Sequence, residues 1–231
     1  METVSRTAPA GRWVAEAVRA APPDTVAALV PARFPAYARV FHPAVRYDGD
    51  DDVFVRWDEV AAANGTSPHR LMQWPGVTGS WDHVSEADQP GLWNDAPAEG
   101  HLVEHVAREI AAVLAGETTT PGECWFGWDD DGAADLPRLR LPRVDLLLVR
   151  GPVERAAVNF APEPREQSAA LWWPADRSWC VATDPALMST YVGGSVDAVD
   201  ALLATRLEVA PALPGDPVRP DSDPVNPVEP R

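Results

Sequence analysis

His101-Leu-Val-Glu-His105 is the segment whose residue types and spacing spell a metal site most openly. The pattern H-x-x-E-H sets two imidazoles and a carboxylate on one helix, the means by which inverzincin hydrolases hold zinc and activate water. Helical periodicity argues against that use. At about 100° per residue, the apolar stripe of Leu102, Val106, Ile110 and Val113 turns both histidines outward, away from any cleft. A metal hydrolase centred on His101 and His105 therefore stands as a third reading, and no metal is expected.

Two other groupings carry chemistry on paper. Asp48, Asp50, Asp52 and Glu59 fall at positions 1, 3, 5 and 12 of a calcium loop. The sixth position, which needs glycine for its sharp turn, is Val53, so an acidic hairpin turn is the reading. Cys124 and Cys180 are the only thiols. A nucleophilic thiolate needs a base and an electropositive setting. His42 or His69 would have to supply that base through the fold, and two reduced, buried structural thiols are expected.

The densest segment is 171–195. Trp172, Trp173 and Trp179 flank the turn Pro174-Ala175-Asp176-Arg177, and Tyr191 precedes Gly193-Gly194-Ser195. Read as a site, the three indoles and Tyr191 form an aromatic platform, with Asp176 and Arg177 as polar contacts. Gly193, Gly194 and Ser195 would then offer amides at a helix N-terminus to an anion. Read as structure, the rings are core, Asp176–Arg177 is a turn pair, and Gly-Gly-Ser is a helix entry. The structural reading leads.

The block LWWPADRSWCVATD followed by STYVGGS resembles a mostly actinobacterial family marked by LWWPxDRxWCVAT. The stretches TTTPGECWFGW (118–128), FPAYARVFHP (34–43) and RWDEVAAANG (56–65) resemble the same family, so the likeness spans roughly residues 30–226. It implies that these segments belong to one fold, and it carries over no activity and no catalytic residue.

Composition bounds the remainder. The 231 residues include 10 Trp against 5 Phe and 3 Tyr, so indoles must fill much of the core. Formal charge is −16, and all 19 basic residues are arginine. Without lysine there is no Schiff base, P-loop lysine or Ser–Lys dyad. A negative chain without a basic cluster is a poor ligand for nucleic acid or anionic membranes. A basic protein partner would be steered towards it. No secretory h-region or transmembrane run is evident, so a cytoplasmic location is expected. No cofactor motif is present, and none is expected.

These candidates need elements to hold them. Helices are expected at Arg12–Ala21, from an Asp58 cap to Asn64-Gly65, from Ser67-Pro68 to Trp74, at His101–Ala115, and at Val196–Ala204 under a Ser195 cap. Strands are expected at 26–30, 37–42, 53–57, 124–128 (turned by 129–132), 144–150, 169–173 and 178–183, with 75–100 irregular. The fold class is α+β, a single domain over 11–210 around a mainly antiparallel sheet. Residues 1–10 are expected to be loose. The tail 211–231 has proline at every third position from Pro211 to Pro220, and reads as a strap or a polyproline ligand. The leading functional reading is a non-catalytic interaction protein with a basic protein partner. The second is a binder or enzyme for a small-molecule ligand, with its pocket at 172–195.

Overall fold

A computed structural model describes residues 8–49, 51–81, 89–129, 137–161 and 166–228. The expectations for residues 1–7, Asp50, 130–132 and 229–231 fall outside it. The chain forms one α+β domain around an eight-stranded antiparallel sheet. Its strands are β1 (Ala36–Phe41), β4 (Cys124–Trp128), β5 (Leu139–Arg140), β6 (Asp145–Gly151), β7 (Leu171–Pro174), β8 (Cys180–Thr183), β9 (Ser189–Gly194) and β10 (Val209–Ala212). They lie in the order β10-β1-β9-β8-β7-β4-β6-β5. A separate two-stranded hairpin joins β2 (Ala44–Asp48) to β3 (Asp51–Val55).

Strand alternation divides the core into two layers, because successive side chains point to opposite faces. Ala38, Val40, Phe126, Trp172, Val181 and Val192 face α4 (Glu104–Ala115) and α5 (Val196–Leu203). Tyr37, Leu171, Trp173, Cys180, Ala182 and Tyr191 face α1 (Arg12–Ala20) and the turn at 26–30. A third cluster sits where β1 leaves the sheet. There Phe41, Trp57, Trp74 and Trp93 pack with α2 (Trp57–Asn64) and α3 (Trp74–Thr78). Successive ring centroids from Trp57 through Trp74 to Trp93 are 5.3 Å apart.

Several elements depart from local expectation, each because a distant group claims the backbone. Residues 26–28 form a 3-10 turn rather than a strand. The amides of Val26 and Ala27 bond Asp216 O and Pro214 O of the C-terminal strap. Residues 68–73 are not helical. Arg39, wholly buried on β1, takes the carbonyls of Arg70 and Met72, and Asp223 takes the amide of Gln73. α2 begins at Trp57 and is capped not by Asp58 but by Glu208. That carboxylate accepts from the amides of Trp57 (2.6 Å) and Asp58 (2.9 Å). α4 begins at Glu104, because Leu102 N donates to Ser168 Oγ and Gly100 N to Leu187 O.

Gly193 and Gly194 lie inside β9, the strand between β1 and β8, rather than in a turn. A Cβ on Gly193 would meet Phe34 Cδ2 at 2.6 Å and Val30 Cγ1 at 2.8 Å. The glycine is there for the close approach of that turn. Residues 209–212 add β10 despite Pro211, an edge position where proline is tolerated. The strap then runs beside 24–27 with Val218 buried. An Arg70–Asp216 ion pair and a His69–Asp223 hydrogen bond hold it against 69–73. At the N-terminal end, Ala8–Gly11 forms a 3-10 turn leading into α1.

Candidate functional site

The indole-rich hairpin β7–β8 is interior. Trp172, Trp173 and Trp179 are 1%, 1% and 0% exposed, and Tyr191 is buried. Trp172 meets Trp179 edge-on at 5.2 Å and stacks on Phe126 in the α4 layer, where the Trp179 indole N–H donates to Leu114 O. Trp173 lies in the opposite layer, edge-on to Trp13. Three buried indoles are worth about 4–6 kcal/mol each by area. Together that exceeds the roughly 8 kcal/mol of a micromolar ligand, so ligand binding would not draw them out. A hollow of about 40 Å³ beside this hairpin, lined by Leu29, Leu171, Ala182 and Thr183, has no indole in its wall.

Asp176, Arg177 and Ser195 of that segment have partners within the fold. Asp176 accepts from Thr118 Oγ1, Thr119 N and Thr119 Oγ1, each at 2.8 Å, which ties the 118–120 loop to the hairpin turn. These bonds, opposed by partial burial, bring its pKa down to about 2. Arg177 has φ +57°, a left-handed conformation, and its guanidinium lies 5.4 Å from the Trp13 ring centre. Ser195 caps α5 by accepting from Ala198 N at 3.0 Å. Gly193 and Gly194, as strand residues, present no amide nest at that helix end.

Both thiols are buried, and each of the four described histidines has a polar or ring neighbour. Cys124 and Cys180 are buried free thiols in opposite core layers. Burial pushes Cys124 up to about 12 and raises Cys180 as well. His42 is sealed between Ala98 O (2.7 Å) and Thr190 Oγ1 (2.9 Å). A carbonyl only accepts, so Nδ1 carries the proton and Nε2 takes the Thr190 hydroxyl. Burial brings this ring down to about 4. His69 Nε2 lies 2.9 Å from Asp223.

His101 and His105 do not share a helix face. His101 precedes α4 and accepts from Ser168 N at Nδ1 (3.1 Å), while its Nε2 faces Glu166 at 3.4 Å. His105 lies against Phe54 of β3, ring centroids 3.9 Å apart and the planes tilted by 34°. Neither is turned freely to solvent; both are half-buried, and burial lowers both pKa values. Among the described residues no group of three His, Cys, Asp or Glu side chains is placed to hold a metal ion. Asp48, Asp51 and Asp52 sit at the tip of the β2–β3 hairpin and are exposed, while Glu59 is on α2.

Two exposed aromatic rings lie on the hairpin where β1 runs into β2. The register pairs Val45 with Phe54 and Tyr47 with Asp52, so these four share one face of the hairpin. Tyr47 and Phe54 are 55% and 46% exposed. The Tyr47 hydroxyl donates to Asp95, and the β2 backbone bonds Asn94 and Asp95, which braces the hairpin. Arg46, its one basic residue, pairs with Val53 on the other face. At the start of α4 lies a cleft of about 190 Å³, with His101, Leu102, Glu104, Val158, Glu166 and Ser168 in its wall. Sequence reasoning anticipated the acidic tip but neither the aromatic face nor this cleft. Tyr47 and Phe54, one on either side of the acidic turn 48–52, were the signal available.

No protein-family model, curated protein or solved structure matches the chain. No described helix is long and apolar enough to cross a membrane.

Proposed function

We propose that this is a non-catalytic cytoplasmic binding protein whose acidic, aromatic end engages a basic protein partner. The observation that carries the reading is the β2–β3 hairpin. It stands outside the main sheet and turns two large aromatic rings to solvent among exposed aspartates. Exposed aromatic side chains are the commonest anchors of protein interfaces, and a net charge of −16 favours encounter with a cationic surface. A small-molecule pocket at 172–195 would require the indoles to leave the core, and a metal hydrolase would require a third ligand beside His101 and His105.

Isothermal titration with a short peptide alternating arginine and glycine tests the proposal. The peptide should bind saturably at low salt and lose affinity as salt screens the charges. Replacing Tyr47 and Phe54 together by serine should weaken it at least about tenfold, the equivalent of about 1.4 kcal/mol. Equal binding of a glutamate–glycine peptide, or indifference to the Tyr47 and Phe54 substitutions, would overturn the reading.

A further inference from the structure

We propose that the cleft between the start of α4 and residues 156–159 and 166–168 is a socket for one arginine or lysine side chain of that partner. The inference rests on the reading above and assigns the cleft its ligand class. At about 190 Å³ the space would hold about six waters, comparable with the heavy atoms of one long basic side chain. One wall is apolar, formed by Leu102, Ala156, Ala157 and Val158. Such a wall suits the methylene stem of a side chain that keeps its charged head in water.

The mouth is acidic and built to stay so. Glu104 and Glu166 line it and are exposed. His101 organises Glu166: its Nδ1 accepts the Ser168 amide, so in the neutral ring the proton sits on Nε2, facing Glu166 Oε2 at 3.4 Å. The histidine thereby turns an N–H towards one carboxylate oxygen and leaves the other to a ligand. It is no general base, because its lone pair is already taken by a backbone N–H. Glu104 is paired with Arg108 one turn along the helix. That pair is exposed, and such pairs are worth less than about 1 kcal/mol, so an incoming cation can share or displace it. Two carboxylates disfavour an anionic guest.

The cleft and the aromatic hairpin both meet the start of α4. Glu104, in the cleft wall, is next in the chain to His105, whose ring lies against Phe54. One bound protein touching both would favour its own side chain over a free amine.

The test uses Nα-acetyl-L-arginine amide, with the neutral Nα-acetyl-L-citrulline amide as control, followed through backbone and imidazole resonances of the full chain. Saturable shifts at His101, Leu102 and Ser168 are expected with the arginine compound and none with citrulline. The Glu104→Gln/Glu166→Gln double variant should bind at least about tenfold more weakly. An Asp197→Asn/Asp200→Asn variant, which removes two exposed charges on α5, should bind as the parent does. No saturable shift, equal response to citrulline, or equal loss in the α5 variant would overturn the socket. The two readings fail differently. If only the socket is wrong, the arginine–glycine peptide binds the Glu104/Glu166 variant undiminished yet still depends on Tyr47 and Phe54. If only the hairpin reading is wrong, the peptide ignores Tyr47 and Phe54 while the arginine amide still fills the cleft.

Discussion

His42 and Glu208 change their protonation in opposite senses on folding, and replacing one should expose the other. His42, sealed in the interior, is brought by burial from an ordinary 6.5 down to about 4. Between those values the unfolded chain binds a proton that the fold refuses. Its contribution is therefore complete above pH 6.5 and is lost as pH falls towards 4, by about 3 kcal/mol at about 1.4 kcal/mol per unit. Glu208 is pushed by burial, with Asp58 nearby, from 4.5 up to about 7, against the two α2 amides that favour its charged form. Here the fold keeps a proton that the unfolded chain gives up. Its contribution is complete below pH 4.5 and is lost as pH rises to 7, again by about 3 kcal/mol. Over pH 4.5–6.5 the two slopes cancel. In Glu208→Gln, which keeps one carbonyl acceptor for α2, the His42 slope should appear alone. Urea unfolding at stepped pH should then show the variant's stability, relative to the parent's, falling by about 3 kcal/mol from pH 6.5 to 4.5. A variant curve parallel to that of the parent, merely offset, would refute the reasoning.

Other consequences follow from the packing. Trp172→Ala empties a site between Phe126 and Trp179 and should cost about 3–5 kcal/mol in chemical denaturation; a cost below about 1 kcal/mol would place the ring outside the core. Gly193→Ala forces a methyl against Phe34 and Val30 and should cost about 1–3 kcal/mol, where a glycine serving only a turn would tolerate the change. Cys124 and Cys180 should resist a thiol reagent in the native protein and react once urea unfolds it; fast native labelling would contradict their buried, high-pKa placement.

Local signals located much of this fold. β4 spans Cys124–Trp128 as its apolar run suggests, Gly65 ends α2 at φ +70°, and Ser195 caps α5. The β7–β8 hairpin and its buried indoles follow from the Trp spacing around Pro174–Arg177. The elements that could not be read are those decided by partners far along the chain. Arg39 draws the carbonyls of residues 70 and 72 out of a helix whose Ser-Pro start looks sound. Glu208 supplies a cap from some 150 residues away. β9 hides behind Gly193-Gly194, which resembles a turn until Phe34 and Val30 are seen above it. The H-x-x-E-H spacing misleads for the same reason. Ser168 claims Leu102 N, the helix starts late, and His101 turns to Glu166 instead of sharing a face with His105. The cleft joins residues near 101, 156 and 166, and no periodicity within one element announces such a meeting.

The most direct measurement is the footprint of the arginine–glycine peptide on backbone amide resonances of the full chain. The account predicts salt-sensitive, saturable shifts clustered at 44–55, 101–105 and 166–168. A footprint centred on Trp13, Arg33 and Arg177, one running through the 171–183 hairpin, or no saturable shift at low salt would contradict it.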